Sequence, residues 1–280
     1  MRSRPGKRRC GSVRPRVGGM VSSWARSNVG RRREKNEDSY LADPSLMLYL
    51  VADGMGGHAG GETASRMAVD IVHRSVAARR TDVGLFPASA SRTEQPAILV
   101  ALGEAIREAS QAIFEASSLN LELAGMGTTA TVALFFGPRI YVAHVGDSRL
   151  YRMRAGRLEQ LTEDHSLVAE QVKAGFITAE EAQFSRFRNI ITRSVGFESN
   201  VAADTFSVAV RPGDLFLLCS DGLTGMVSDE EIGNALRRKG PAKACDELVE
   251  IANRHGGEDN ITLIVLRFKG PPGGARAARG

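Results

Sequence analysis

The sequence predicts an α+β fold of largely antiparallel β-sheets covered by helix pairs. Two observations predict it. Most apolar strands follow one another through short turns, and the amphipathic helical stripes fall in pairs between groups of strands. A βαβ wound sheet would alternate the two element types instead. In chain order, residues 46–52 (LMLYLVA) form a continuous apolar run, as a strand buried on both faces would. Residues 61–77 set Ala64, Met67, Ala68, Ile71, Val72 and Val76 at helical spacing, with Glu62 in the first turn. Residues 96–118 repeat the pattern with Leu99, Leu102, Ile106, Ala109 and Ile113. The polar stretch 81–95, which holds Pro87, reads as the loop between these helices. Residues 128–136 and 139–145 are β-rich and joined by Gly137-Pro138, a hairpin signal. Residues 150–153 and 158–161 pair about Ala155-Gly156. Two more apolar strands, 215–220 and 261–268, bracket helical segments over 228–238 and 241–254.

Composition bounds the rest. The chain has 280 residues, 42% of them hydrophobic, which suits one large domain or two small ones with a proper core and excludes global disorder. The longest apolar runs fall far short of the roughly 20 residues that span a bilayer, and no apolar signal core follows the basic N-terminus. Three cysteines (Cys10, Cys219 and Cys245) cannot build a disulfide framework, so a reducing, cytoplasmic compartment is expected. Residues 1–20 carry seven basic side chains and no acid, and residues 271–280 carry two more. The rest of the chain therefore holds 28 basic against 32 acidic side chains. The body is mildly acidic, and no nucleic-acid or membrane partner is expected. Residues 1–20 read as a disordered basic tail, 21–269 as the folded unit and 270–280 as a Gly/Pro-rich tail.

The informative pattern is where the aspartates fall. Asp53 ends one apolar strand and Asp221 another, Asp147 follows a third, and Asp259 stands just before a fourth. Three of these sites have a glycine beside the acid, which lets the backbone turn sharply and lets a carbonyl approach an ion. If the strands share sheets, these carboxylates crowd one cleft with Glu37 and Asp38. Like charges so close need a multivalent cation, or one of them must protonate. All-oxygen donors point to Mg²⁺ or Mn²⁺ rather than zinc. A single Asp-Gly pair is usually only a turn; four acids at strand tips are more than that.

Seven short motifs stand in one order: Arg33-x-x-Asn36-Glu37-Asp38-Ser39, Ala52-Asp53-Gly54-Met55-Gly56-Gly57-His58, Gly127-Thr128-Thr129, Gly146-Asp147-Ser148-Arg149, Asp164-His165-Ser166, Ser220-Asp221-Gly222-Leu223 and Glu258-Asp259-Asn260. In these the chain resembles the PP2C (PPM) family of metal-dependent protein serine/threonine phosphatases, in its compact bacterial form, over about residues 28–268. The resemblance implies a four-layer α-β-β-α sandwich with a metal cleft at one end of two antiparallel sheets. It implies that Asp38, Asp221 and Asp259 bind one metal, and that Asp53 bridges two, with the Gly54 carbonyl on the second. Asp147 with Asp221 would hold a third, weaker ion. Glu37 would orient water from behind the ligands, and Arg33 would take the substrate phosphate through its bidentate fork. Residues 165–192 would form a flap over the entrance. The implied reaction is hydrolysis of phosphoserine and phosphothreonine by a metal-activated bridging water, with no covalent intermediate. The implied partners are phosphorylated proteins and the Ser/Thr kinase that makes them, with the chain acting as a monomer.

Animal members carry a histidine directly after the Asp-Gly pair, where this chain has Met55. The acid for the leaving group is therefore expected to be water at the Asp147 ion, with His58 second. The flap region 183–188 also lacks the His-Pro pair common in relatives. Gly54-x-Gly56-x-x-Ala59 imitates a dinucleotide fingerprint, but Asp53 would face the pyrophosphate and no ribose-binding acid follows. Cys10 and Arg16 have a cysteine-phosphatase spacing with no strand or helix around them. A catalytically silent phosphoprotein-binding regulator of the same fold is the alternative function, and such proteins usually lose metal carboxylates that this chain keeps.

Overall fold

The computed structural model describes residues 21–56, 60–82 and 95–270. Twelve strands occur among them. They are β1 (Val21–Asn28), β2 (Ser39–Asp43), β3 (Leu48–Ala52), β4 (Gly54–Met55), β5 (Gly127–Thr128) and β6 (Ala130–Phe136). The second half supplies β7 (Arg139–Val145), β8 (Arg149–Arg154), β9 (Arg157–Gln160), β10 (Asp204–Ala209), β11 (Leu215–Cys219) and β12 (Ile261–Phe268). The helices are α1 (Gly60–Asp82), α2 (Gln95–Leu119), α3 (Leu167–Lys173), α4 (Ala179–Gln183), α5 (Asp221–Thr224), α6 (Asp229–Arg238) and α7 (Pro241–Arg254).

Two five-stranded sheets result, ordered β1-β12-β11-β8-β9 and β10-β7-β6-β3-β2, and the short β4-β5 pair stands apart at one end. Every strand pairing is antiparallel, as the short turns predict. Three apolar layers hold the stack together. The inner faces of both sheets meet through Tyr49, Phe135, Phe216 and Phe268. The α1-α2 pair covers one sheet through Val72, Leu102 and Ile106, and α6 with α7 covers the other through Ile232 and Leu248. The four-layer α-β-β-α sandwich is thus in place.

Local chemistry sets most boundaries. Ser228 caps α6 in a reciprocal box with Glu231, and Pro241 opens α7. Three departures from expectation have physical reasons. β3 starts at Leu48 rather than residue 46, because Met47 turns the chain at a φ of 55°. α1 runs on to Asp82, into the stretch expected to be a loop, and residues 83–94 of that stretch lie outside the described residues. β1, β2 and β10 escape the apolar-run criterion because they are sheet-edge strands with polar residues interspersed, yet β1 pairs with β12 along its whole length. The expected tails, residues 1–20 and 271–280, also lie outside the described residues.

Phe135 is the hub of the inter-sheet layer. It meets Tyr49 and Phe216 edge-on at 6.0 and 5.5 Å and stacks on Phe268 at 6.1 Å. Phe135→Ala is expected to destabilise the domain by about 3–5 kcal/mol, from lost transfer energy and the cavity left behind. Urea titration checks this; a loss below about 1 kcal/mol would show that the sheets do not depend on this contact.

Candidate active site

The cleft opens at the end of the two sheets where the acids fall. It has a volume of ≈ 770 Å³ and is lined by Arg33, Glu37, Asp53, Gly54, Asp147, Asp221 and Asp259 from one side. Asp38 lies buried behind them. All eight residues expected at the site therefore gather there, although they come from five separate stretches of chain.

Each is placed by a local reason. Asp53 leaves β3 and is clamped by the neighbouring threonines. Its N–H donates to Thr129 Oγ1 (2.9 Å), and its carbonyl accepts from Thr128 Oγ1 (2.8 Å) and the Thr129 N–H (2.9 Å). Gly54 then pairs with Thr128 in the β4-β5 ribbon. Asp38 Oδ2 accepts from Ser220 Oγ (2.8 Å), the residue that immediately precedes the short helix α5, of which Asp221 is the first member. Asn260 ties the segment holding Arg33 and Glu37 to the segment holding Asp259. Its Oδ1 accepts the Glu37 N–H (2.8 Å), and its Nδ2 donates to the Val29 (3.0 Å) and Lys35 (2.9 Å) carbonyls. Gly146 turns β7 toward Asp147 at a φ of +108°, and a Cβ there would lie 2.5 Å from Thr129 Cγ2, so only glycine fits.

The electrostatics are those of too many acids in one place. Asp38 Oδ1, Asp147 Oδ1 and Asp221 Oδ1 are buried with no hydrogen-bond partner. Burial pushes the Asp38 carboxyl up to about 8, with Asp221 and Asp259 adding repulsion against only partial relief from Thr262 and Ser220. Burial likewise raises Asp53 well above the carboxylate range, reinforced by Asp38, Asp221 and Asp147. Asp147 is raised well above its ordinary range by burial and by Asp221. Asp221 is also raised, again by burial first, and so is Glu37. Three orphaned carboxylate oxygens, two of them on acids that line the cleft, fit hard divalent cations with oxygen ligands. Among the described residues, no three His, Cys, Asp or Glu side chains are drawn in tightly enough to enclose an ion by themselves. An ion here would keep waters in its shell, as Mg²⁺ characteristically does.

Arg33 and Arg149 are the cations that offset this charge, and of the two Arg33 lines the cleft. Its Nη2 donates to Asp259 Oδ2 at 2.7 Å. Desolvation alone would lower its pKa, but Asp259, Glu37 and Asp53 outweigh that and the net shift is upward.

Sequence reasoning missed the support behind Gly146. The Gly146 N–H donates to His165 Nδ1 (3.0 Å), which leaves the ring proton on Nε2 to donate to Asp204 Oδ2 (3.1 Å). His165 also accepts the Thr192 N–H through its carbonyl, at 2.9 Å. Burial lowers both His165 and its ring neighbour His144, the latter to about 4, so the pair, whose planes are tilted by 36° at 4.8 Å, is uncharged near neutrality. Asp204 sits 39 residues from His165, and no local pattern announces such a pair. His58, the second-choice acid, lies outside the described residues. Cys219 and Cys245 are buried core thiols.

Comparison with known proteins agrees with this geometry. The family described as Protein phosphatase 2C matches residues 30–262. The Listeria monocytogenes serine/threonine phosphatase stp is 39% identical over 245 residues, covering 86% of this chain and 93% of its own. The crystal structure of the Mycobacterium tuberculosis serine/threonine phosphatase PstP/Ppp superposes with a TM-score of 0.78 at 38% identity, covering 89% of this chain and 99% of that one. A PstP catalytic domain in complex with two manganese ions superposes with a TM-score of 0.76 at 37% identity, covering 88% and 97%. The chain belongs to the protein phosphatase 2C family. Among the described residues no helix is long and apolar enough to cross a membrane.

The raised carboxyls make a signed prediction. An acid whose folded pKa lies above its unfolded value near 3.8 disfavours the fold once it must ionise. In chelator, thermal stability should therefore fall as pH rises from about 5 to about 8. Asp38→Asn should flatten that slope, and Mn²⁺ should raise the melting temperature more at the upper pH than at the lower. Melting curves that do not change with pH in EDTA would contradict the charge assignment.

Proposed function

We propose that this chain hydrolyses phosphoserine and phosphothreonine on proteins, using Mn²⁺ or Mg²⁺ held in the carboxylate cleft. The observation that carries this is the set of buried, unpartnered oxygens of Asp38, Asp147 and Asp221, with the Arg33 guanidinium lining the same cleft as Asp147 and Asp221. In this reading Asp38, Asp221 and Asp259 would hold one ion, Asp53 would serve both ions of the pair, and the Gly54 carbonyl would serve the second. Asp147 with Asp221 would hold a third, weaker one. Divalent ions in such a pair supply positive charge for the phosphoryl oxygens and lower the pKa of bound water.

The protein's own groups do the rest. Arg33 leaves its partner Asp259 and takes two oxygens of the phosphate dianion, in the fork geometry that lysine cannot supply. Glu37, its carboxyl against Gly61 in the first turn of α1, accepts a hydrogen bond from the attacking water and fixes its direction. Asp53, held through its backbone by Thr128 and Thr129, keeps the site's geometry through turnover. The folded unit is 21–269, with residues 165–192, including α3 and α4, as the segment over the cleft. The substrates are phosphorylated proteins, set against a Ser/Thr kinase, and the chain acts as a monomer.

Hydrolysis of p-nitrophenyl phosphate with Mn²⁺ and with EDTA tests the reading, and also separates an enzyme from a silent phosphoprotein binder. Turnover is expected only with the ion, and Asp53→Asn or Asp221→Asn should lower it by several orders of magnitude while the fold persists. Full activity in excess chelator contradicts the reading.

Arg33→Ala should chiefly raise KM, by roughly tenfold to a hundredfold for the charge-assisted bonds it removes, because it grips ground state and transition state alike. Steady-state kinetics with a phosphopeptide checks this. An unchanged KM would remove Arg33 from the phosphate.

A further inference from the structure

Residues 194–201 close another side of the cleft that Arg33, Asp53 and Asp221 line. Their backbone is pinned from two directions. Val195 is fully buried and exchanges both backbone hydrogen bonds with Thr128, at 2.8 and 2.9 Å. Thr128 is the residue that also holds the Asp53 carbonyl, so this segment and the acid cluster share one anchor. From the opposite direction Ser110 of α2, itself buried, accepts the Gly196 N–H (2.9 Å) and donates to the Glu198 carbonyl (2.7 Å). One hydroxyl thus grips the residues on either side of Phe197. Gly196 takes a φ of +95°, and a Cβ there would lie 2.1 Å from Ile113 Cγ2, so the segment is pressed onto α2.

Between these grips Phe197 is 68% exposed and lines the cleft, as do Ile191 and Val201. A lone exposed phenylalanine on a surface means little. This one is fixed by a backbone that cannot rotate its ring into the core, and it forms part of a cleft wall otherwise rich in charge. The exposed Phe176 and Phe184 do not line that cleft. A rigid aromatic beside a polar site is a preorganised surface for an apolar group delivered together with the polar one.

We propose that Phe197, with Ile191, forms an apolar subsite that takes a bulky aliphatic or aromatic side chain flanking the phosphoresidue of the substrate polypeptide. This rests on the phosphatase reading above. Phe197 and Ile191 line the same cleft as the acids, so the recognised side chain lies close in sequence to the phosphoresidue. The subsite thus selects among phosphoproteins by local sequence.

The test uses two phosphothreonine peptides that differ only in carrying leucine or serine at the positions flanking the phosphoresidue. Turnover of p-nitrophenyl phosphate by the wild-type protein with Mn²⁺ first checks the reading beneath the proposal. The wild type should then favour the leucine peptide in kcat/KM by roughly tenfold, the scale that one apolar pocket supplies. Phe197→Ser should bring the ratio between the two peptides close to one, and Phe197→Leu should keep most of it. Equal kcat/KM for the two peptides in an active wild type overturns the proposal. So does a preference that survives Phe197→Ser.

Discussion

Carboxylates that repel one another across a poorly solvated cleft are the constraint on which the rest of this structure depends. Asp38, Asp53, Asp147 and Asp221 each have their acidity weakened first by burial, and then by neighbouring acids: Asp221 acts on Asp38, Asp53 and Asp147, and Asp259 acts on Asp221. Such a cluster is unstable on its own and persists only because its backbone supports are rigid. Those supports come from the sheets. Asp53 issues directly from β3, Asp147 follows the turn after β7, and Asp221 stands two residues beyond β11. The inter-sheet layer around Phe135 is therefore what keeps the acids at fixed separations.

Neutral polar groups do the fine placement. Ser220 bonds Asp38 and stands before Asp221, so one serine sets two acids at once. Asn260 knits the Arg33-Glu37 segment to the Asp259 segment using both ends of its amide. Thr128 and Thr129 hold Asp53 on one side, and Thr128 holds Val195 on the other. His165, uncharged and with its tautomer fixed by the Gly146 N–H, links the turn that presents Asp147 to Thr192 and to Asp204, which also pairs with Arg193 of the cleft wall. Charge is concentrated on the clustered acids, while the serine, asparagine, threonines and histidine that touch their segments directly add none.

How much of this was legible in the sequence depends on range. The apolar runs at β3, β6, β7, β11 and β12 and the stripes of α1, α2, α6 and α7 are local signals, and the structure follows them to within a few residues. The site acids were legible because Asp-Gly pairs at strand tips and the order of seven motifs both read along the chain. The edge strands β1, β2 and β10 were not, since their partners rather than their own composition make them strands. The Ser110 grip on residues 196–198 and the His165–Asp204 pair join segments tens of residues apart. Nothing in the local sequence of Phe197 says that its ring faces a cleft rather than the core.

The central claim is that these carboxylates are gathered to hold divalent cations. Anomalous scattering at the manganese edge, measured from crystals of this protein grown with Mn²⁺, tests it most directly. The account predicts two strong peaks in the cleft, both within coordination distance of Asp53, with Asp221 on one and the Gly54 carbonyl on the other. An acid cluster free of manganese at saturating concentration, or peaks only at surface carboxylates elsewhere, would contradict it.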